Sequence, residues 1–173
     1  MNRKKYLVLS IIPIIILIIV VYLLVNSQTY NSHVSKYNYL DKIIGENIPE
    51  DSTLLKFKNT YGGSFGDGDL FAEIKLSKDG MQKFIDKTKN NKGWMHLPLS
   101  NDINFLIYGY RNETSLNNNI PNNINNGIYY VKDRFSGTPE ENKSNILRRN
   151  SFNVTIAILD VDKNIIYIYE LDT

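Results

Sequence analysis

The residues of this chain with the types and spacing to do chemistry gather in one stretch. Thr60-Tyr61-Gly62-Gly63-Ser64-Phe65-Gly66-Asp67-Gly68-Asp69 sets two carboxylates two positions apart behind a run of glycines. On an extended segment Asp67 and Asp69 share a face, an arrangement open to paired-carboxylate work. Gly62, Gly63, Gly66 and Gly68 permit positive φ or close backbone approach, so their amides can form an anion nest. The stretch is not a P-loop, because no Gly-Lys-Ser/Thr follows. It is not a dinucleotide fingerprint either, because the glycine spacing is wrong and a strand pattern, not a helix, comes next. A wide, bulged hairpin turn accounts for the same residues without a ligand. Gly62, Gly63, Gly66, Asp67, Gly68 and Asp69 are the candidate binding residues.

The rest of the chain offers little to complete a catalytic set. His96 is the sole plausible base outside the stalk expected over 26–35, and its place between Met95 and Leu97 better suits a packed or half-exposed histidine at the core edge. A cell-envelope hydrolase using Asp67 or Asp69 with His96 is the alternative reading. His33 has no second imidazole or carboxylate cluster beside it. No serine lies in a Gly-x-Ser-x-Gly elbow. Asp160-x-Asp162-x-Asn164 opens like a calcium loop, but Ile165 and Leu171 stand where the glycine and the closing glutamate belong, and a hairpin turn explains it. There is no cysteine, hence no disulfide, thiolate nucleophile or zinc-thiolate site. The reading has no catalytic residue, no metal ligand and no cofactor.

The element that places everything else is Tyr6 to Val25, 20 apolar or uncharged residues in a row. At ~1.5 Å per residue such a helix spans a ~30 Å hydrocarbon core. Pro13 is tolerated within a bilayer. Val25-Asn26-Ser27 offers a cleavage-like site, but a signal-peptide core is ~7–15 residues and this run is longer, so it reads as a single-pass signal-anchor. Arg3, Lys4 and Lys5 precede it, which keeps the N-terminus cytoplasmic and the C-terminal part extracytoplasmic. Those three are among the 20 Lys and Arg, so 17 bases remain against 18 acids and the formal +2 becomes −1 beyond the tail. That balance gives no electrostatic footprint for nucleic acid. ATP and NAD are scarce outside the cytoplasm, which removes nucleotides as well. The expected layout is a cytoplasmic tail over 1–5, a membrane helix over 6–25, a polar stalk over 26–35 and an extracytoplasmic domain over 36–173, the size of one ordinary domain.

Within that domain, Tyr37, Leu40, Ile43 and Ile44 predict a short helix ending at Gly45. Thr53 to Asn59 alternates, with Leu55 and Phe57 on one face, and Leu70, Ala72, Ile74 and Leu76 form a second alternating run across the glycine-rich connection. Ser77 is a candidate N-cap for a helix carrying Met81, Phe84, Ile85 and Thr88 on its inner side. Trp94 is expected on a helix–sheet seam, and Ile103 to Tyr110 as a strand. Asn112 to Asn126 is asparagine-rich loop. Gly127 to Val131 is a strand, a short helix is expected around Glu140 to Leu147, and Phe152 to Leu159 with Ile165 to Leu171 make a closing hairpin. The class is α+β, with a mainly antiparallel sheet and helices on one face.

The glycine-rich stretch resembles a family of small, uncharacterised exported proteins of low-GC Gram-positive bacteria, whose marker reads Thr-His-Gly-Gly-Phe-His-Gly-Asp-Gly. Here it is Thr60-Tyr61-Gly62-Gly63-Ser64-Phe65-Gly66-Asp67-Gly68. The likeness continues through Trp94 to Leu99, Asn126 to Tyr130, and Phe152 to the closing Leu171-Asp172-Thr173. It implies no activity. The family's two histidines are Tyr61 and Phe65 here, so any metal or proton chemistry they supply is missing from this chain. A membrane-anchored domain that interacts with a protein or envelope component, without catalysis, is the resulting expectation.

Overall fold

The structure is a computed structural model that describes residues 3–61, 67–109, 119–135, 146–149 and 151–173, with the backbone alone at 3–13, 26 and 28–31. The chain divides into two units, Met1–Tyr39 and Leu40–Thr173.

Helix α1 runs Arg3–Ile44, so the polar residues 26–35, expected as a stalk, are helical. From Ile14 to Val25 twelve consecutive apolar side chains stand 44% to 65% exposed. Among the described residues, no helix is long and apolar enough to cross a membrane. The side chains described on α1 begin at Ile14, whereas the apolar run of the sequence begins at Tyr6.

The second unit opens with the end of α1. Leu40, Ile43 and Ile44 are buried and the helix stops at Gly45, as its spacing predicts. Asp41 accepts the Ile48 N–H at 2.8 Å. Burial pushes the Asp41 carboxyl above its ordinary range, against the pull of that hydrogen bond. Then follow β1 (Thr53–Asn59), β2 (Gly68–Lys75), α2 (Lys78–Thr88), β3 (Trp94–His96), α3 (Asn101–Tyr108), β4 (Gly127–Asp133), a 3-10 turn at Ile146–Arg148, β5 (Asn153–Asp160) and β6 (Ile165–Asp172). The six strands form one antiparallel sheet in the order β1-β2-β6-β5-β4-β3. The fold is α+β.

Helices cover both faces of this sheet, which corrects the expectation of helices on one face. Phe71, Tyr129, Val154, Ile156, Ile158, Tyr167, Tyr169 and Leu171 pack with Ile103, Leu106 and Ile107 of α3. On the opposite face Trp94 pairs with Tyr130 across β3 and β4. Its ring meets Phe84 of α2 edge-on at 5.2 Å and lies 5.5 Å from Tyr130, the helix–sheet seam expected of it. Strands β5 and β6 are buried on both faces along nearly their whole length. A sheet buried on two sides needs apolar residues at successive positions, and Val154 to Leu159 supplies them apart from Thr155.

Elements α3 and β1 differ from their sequence patterns. The expected strand Ile103 to Tyr110 is helix α3, capped by the Ser100 hydroxyl. Ile103, Leu106 and Ile107 recur at helical spacing and are its buried residues. In β1 a register shift between Leu54 and Lys56 leaves Leu55 half exposed instead of beside Phe57. A bulge and outward lysines on an edge strand discourage pairing with other chains. Most of the expected short helix at Glu140 to Leu147, and residues 112–118 of the asparagine-rich loop, lie outside the described residues.

Candidate functional site

The glycine-rich connection joins the end of β1 to the start of β2, and its described ends are well fastened to each other. The Thr60 N–H donates to the Asp69 carbonyl at 2.9 Å, and the Asp69 N–H donates to the Thr60 hydroxyl at 2.8 Å. That hydroxyl in turn donates to the Asp69 carbonyl at 3.1 Å. Asn59 accepts the Tyr61 N–H at 2.8 Å. Gly62, Gly63 and Gly66 lie outside the described residues. Gly68 is described, and it pairs with Asp172 of β6. A Cβ on Gly68 would stand 2.8 Å from both the Cα and the N of Tyr61. The strand entering the loop passes too close for any side chain, so this glycine has a packing reason that needs no ligand.

Asp67 is exposed and Asp69 is nearly buried. With Thr60, Gly68, Asp172 and Thr173 they line a shallow depression of about 320 Å³. Its titratable side chains are carboxylates alone, so it contains no general base of the imidazole type. Among the described residues there is no group of three or more His, Asp or Glu that could hold a metal ion.

His96 does not join this site. It lies on β3, four strands away from β2 in the sheet order. Register carried across the ladder puts Asp69 level with Val154 and His96 level with Leu159. Strand spacing of ~4.8 Å and a rise of ~3.4 Å per residue then separate the two by on the order of 25 Å, far beyond proton transfer. The Asp160 turn also reads as structure: Asp160 accepts the Lys163 N–H at 3.0 Å, Asn164 adopts φ 54°, and Asp162 accepts from Asn126 at 2.7 Å.

A polar cluster at the Asp69 end of the sheet has no signature in the sequence. The Arg134 guanidinium donates to Asn153 Oδ1 at 2.8 Å, to Thr155 Oγ1, and to Glu170 Oε1 at 2.5 Å. Thr155 and Glu170 are buried, and they come from adjacent strands. Arg134 lies just past β4, and only strand pairing brings the four residues together.

On the α3 side, burial pushes the Tyr167 hydroxyl up to about 12, helped by the nearby carboxylates of Glu73 and Asp160. Burial likewise pushes Tyr108 up to about 12, with Tyr167 adding to it. Each phenol holds its proton more tightly in the folded chain than at the ordinary pKa of about 10, so this contribution to stability is complete below pH ~10 and disappears as pH rises towards ~12. Urea-unfolding midpoints should therefore fall across that window. Tyr167→Phe should flatten the fall, and an unchanged slope in that variant would exclude this origin.

Comparisons with protein-family models, curated proteins and solved structures give no match to this chain.

Proposed function

We propose that the protein is a non-catalytic, membrane-anchored extracytoplasmic binding domain, with its N-terminus in the cytoplasm and Leu40–Thr173 presented outside. The apolar run Tyr6 to Val25 carries this reading, and the exposure of its second half supports it. Twelve successive apolar side chains around a helix leave no polar face for water. A hydrocarbon phase satisfies them, and the helix satisfies its own backbone. The partner is a protein or cell-envelope component, not a nucleic acid or a nucleotide. Grouping the chain with the Gram-positive exported proteins whose marker loop it resembles is part of the same proposal.

Fractionation tests it. The full chain should sediment with membranes, resist extraction by high salt and dissolve in detergent. A variant carrying both Ile15→Lys and Ile18→Lys places two charges near the middle of the run, each costing ~2.5–3.5 kcal/mol of insertion, and should shift to the soluble fraction. External protease should trim the C-terminal domain in intact protoplasts. Recovery of the unaltered chain in the soluble fraction would overturn the proposal.

A further inference from the structure

The α3 face of the sheet carries a second cavity, whose lining includes neither Asp67, Gly68 and Asp69 nor any residue of the Arg134 cluster. It measures about 260 Å³ and lies between α3 and the segment leading into β4. Asn101 and Asn104 come from α3, and Asn122 and Asn125 from the facing segment. Leu99, Ile124 and Ile158 supply apolar surface. We propose that this cavity binds a neutral, hydroxylated ring: a saccharide unit.

The chemistry of the lining selects that class. Among the described residues no charged side chain lines it, so none of them offers an anion or a cation a counter-charge. Each carboxamide offers both a donor and an acceptor, which matches neighbouring hydroxyls or an acetamido group. The apolar surface suits the C–H face of a ring. A few convergent polar groups over an apolar lining is the usual make-up of a small-molecule site. The volume falls just below the ~300–1,000 Å³ of drug-sized pockets, which favours a single ring.

The four amides are not consumed by the fold. Among the described residues none of these side chains makes a hydrogen bond, although the segments carrying them are firmly held. The Tyr108 hydroxyl donates to the Pro121 carbonyl at 2.8 Å, tying α3 to the facing segment. Ile120, next to Pro121, is buried in the same core as Ile103, Leu106 and Ile107. The Val161 N–H donates to the Asn126 carbonyl at 3.0 Å and fixes the other end. A site whose backbone is fastened before the ligand arrives loses less freedom on binding.

The inference rests on reading the domain as a binding module and is independent of the anchor, since saccharide binding and membrane fractionation are read separately. The test uses the full chain in detergent micelles, titrated with N-acetylglucosamine, chitobiose, glucose and cellobiose, and with trialanine amide as a peptide probe. Asparagine side-chain amide resonances report the cavity. Saturable, millimolar binding of at least one saccharide is expected, weakened about 5- to 10-fold by Asn104→Ala or Asn122→Ala, the loss of roughly one hydrogen bond each. Both residues are exposed, so the fold should persist, and circular dichroism verifies it. Discrimination between N-acetylated and plain sugars identifies which substituent the amides read. No saturation at tens of millimolar sugar, saturation by the peptide alone, or unchanged saccharide binding by both variants would overturn the proposal.

Discussion

Replacing Gly127 with alanine should cost the domain about 3–4 kcal/mol or more, a large share of the ~5–15 kcal/mol that holds a typical domain folded. Gly127 opens β4 and pairs with Asp160 of β5. A Cβ built there would stand 1.9 Å from the Leu159 carbonyl oxygen and 3.1 Å from its carbon. That carbonyl belongs to the backbone of a strand buried on both faces, so it cannot swing aside as a flexible side chain would. The Gly127 carbonyl also accepts the Leu97 N–H at 3.2 Å, which ties the segment after β3 to the same point. Relieving the clash means parting β4 from β5, with loss of ladder hydrogen bonds and of packing around Tyr129 and Ile158. The urea midpoint of Gly127→Ala should fall steeply. Asn125→Ala, two residues earlier and exposed, should shift stability by less than about 0.5 kcal/mol. Equal midpoints for the two variants would refute the close-approach argument.

Arg134→Leu should destabilise the domain by up to about 3–5 kcal/mol, the cost of removing one partner from a fully buried ion pair, lessened because 27% of the Arg134 side chain is exposed. Its guanidinium joins Asn153, Thr155 and Glu170 on two neighbouring strands, and Glu170 is 4% exposed. Taking the cation away leaves the desolvation cost of the carboxylate in place while removing the charge that offsets it. The double variant Arg134→Leu with Glu170→Leu removes both charges and should recover much of the loss. A double-mutant cycle therefore separates pairing from packing: strong coupling is expected, and additive losses would show that Arg134 contributes only its aliphatic stem.

Much of the fold is legible in the chain because the relevant signals are local. The Ser77 cap and the spacing of Phe84 and Thr88 define α2, whose hydroxyl cap and buried side are as expected. Alternation at Phe152, Val154, Ile156 and Ile158 places all four in one core. The failure at α3 has an equally local remedy. Ile103-Asn104-Phe105-Leu106-Ile107-Tyr108 is rich in β-branched and aromatic residues, which favours a strand by composition. Ser100 before it, Asp102 in the first turn and apolar residues at 103, 106 and 107 are the helical signals, and they prevail because burial follows spacing. The placing of helices on both faces follows from this one element. Reading Ile103 to Tyr110 as a strand removes the helix whose Ile103, Leu106 and Ile107 cover the second face.

The candidate site shows where reading by residue stops. Asp67, Gly68 and Asp69 stand out in the chain, yet the structure gives Gly68 a steric reason and sets His96 at the far side of the sheet. Asn122 and Asn125 fall in the expected low-complexity loop and Asn104 in the expected strand, and four carboxamides spread over 25 positions carry no periodic signal. They face one cavity only once α3 has folded against the segment before β4. Arg134, Asn153, Thr155 and Glu170 are likewise unremarkable until strand register aligns them.

By itself, then, the amino-acid sequence determined the α+β class, the closing hairpin, the helix after Ser77, the near-neutral charge beyond residue 5 and the long apolar run. Each depends on residues within a few positions of one another, where backbone geometry converts spacing directly into a face or a cap. Strand order, the two-sided burial of β5 and β6, the separation of His96 from Asp69 and the gathering of the asparagine cavity were decided only by tertiary structure. These depend on which distant segments pair, and that is settled by packing of the whole core.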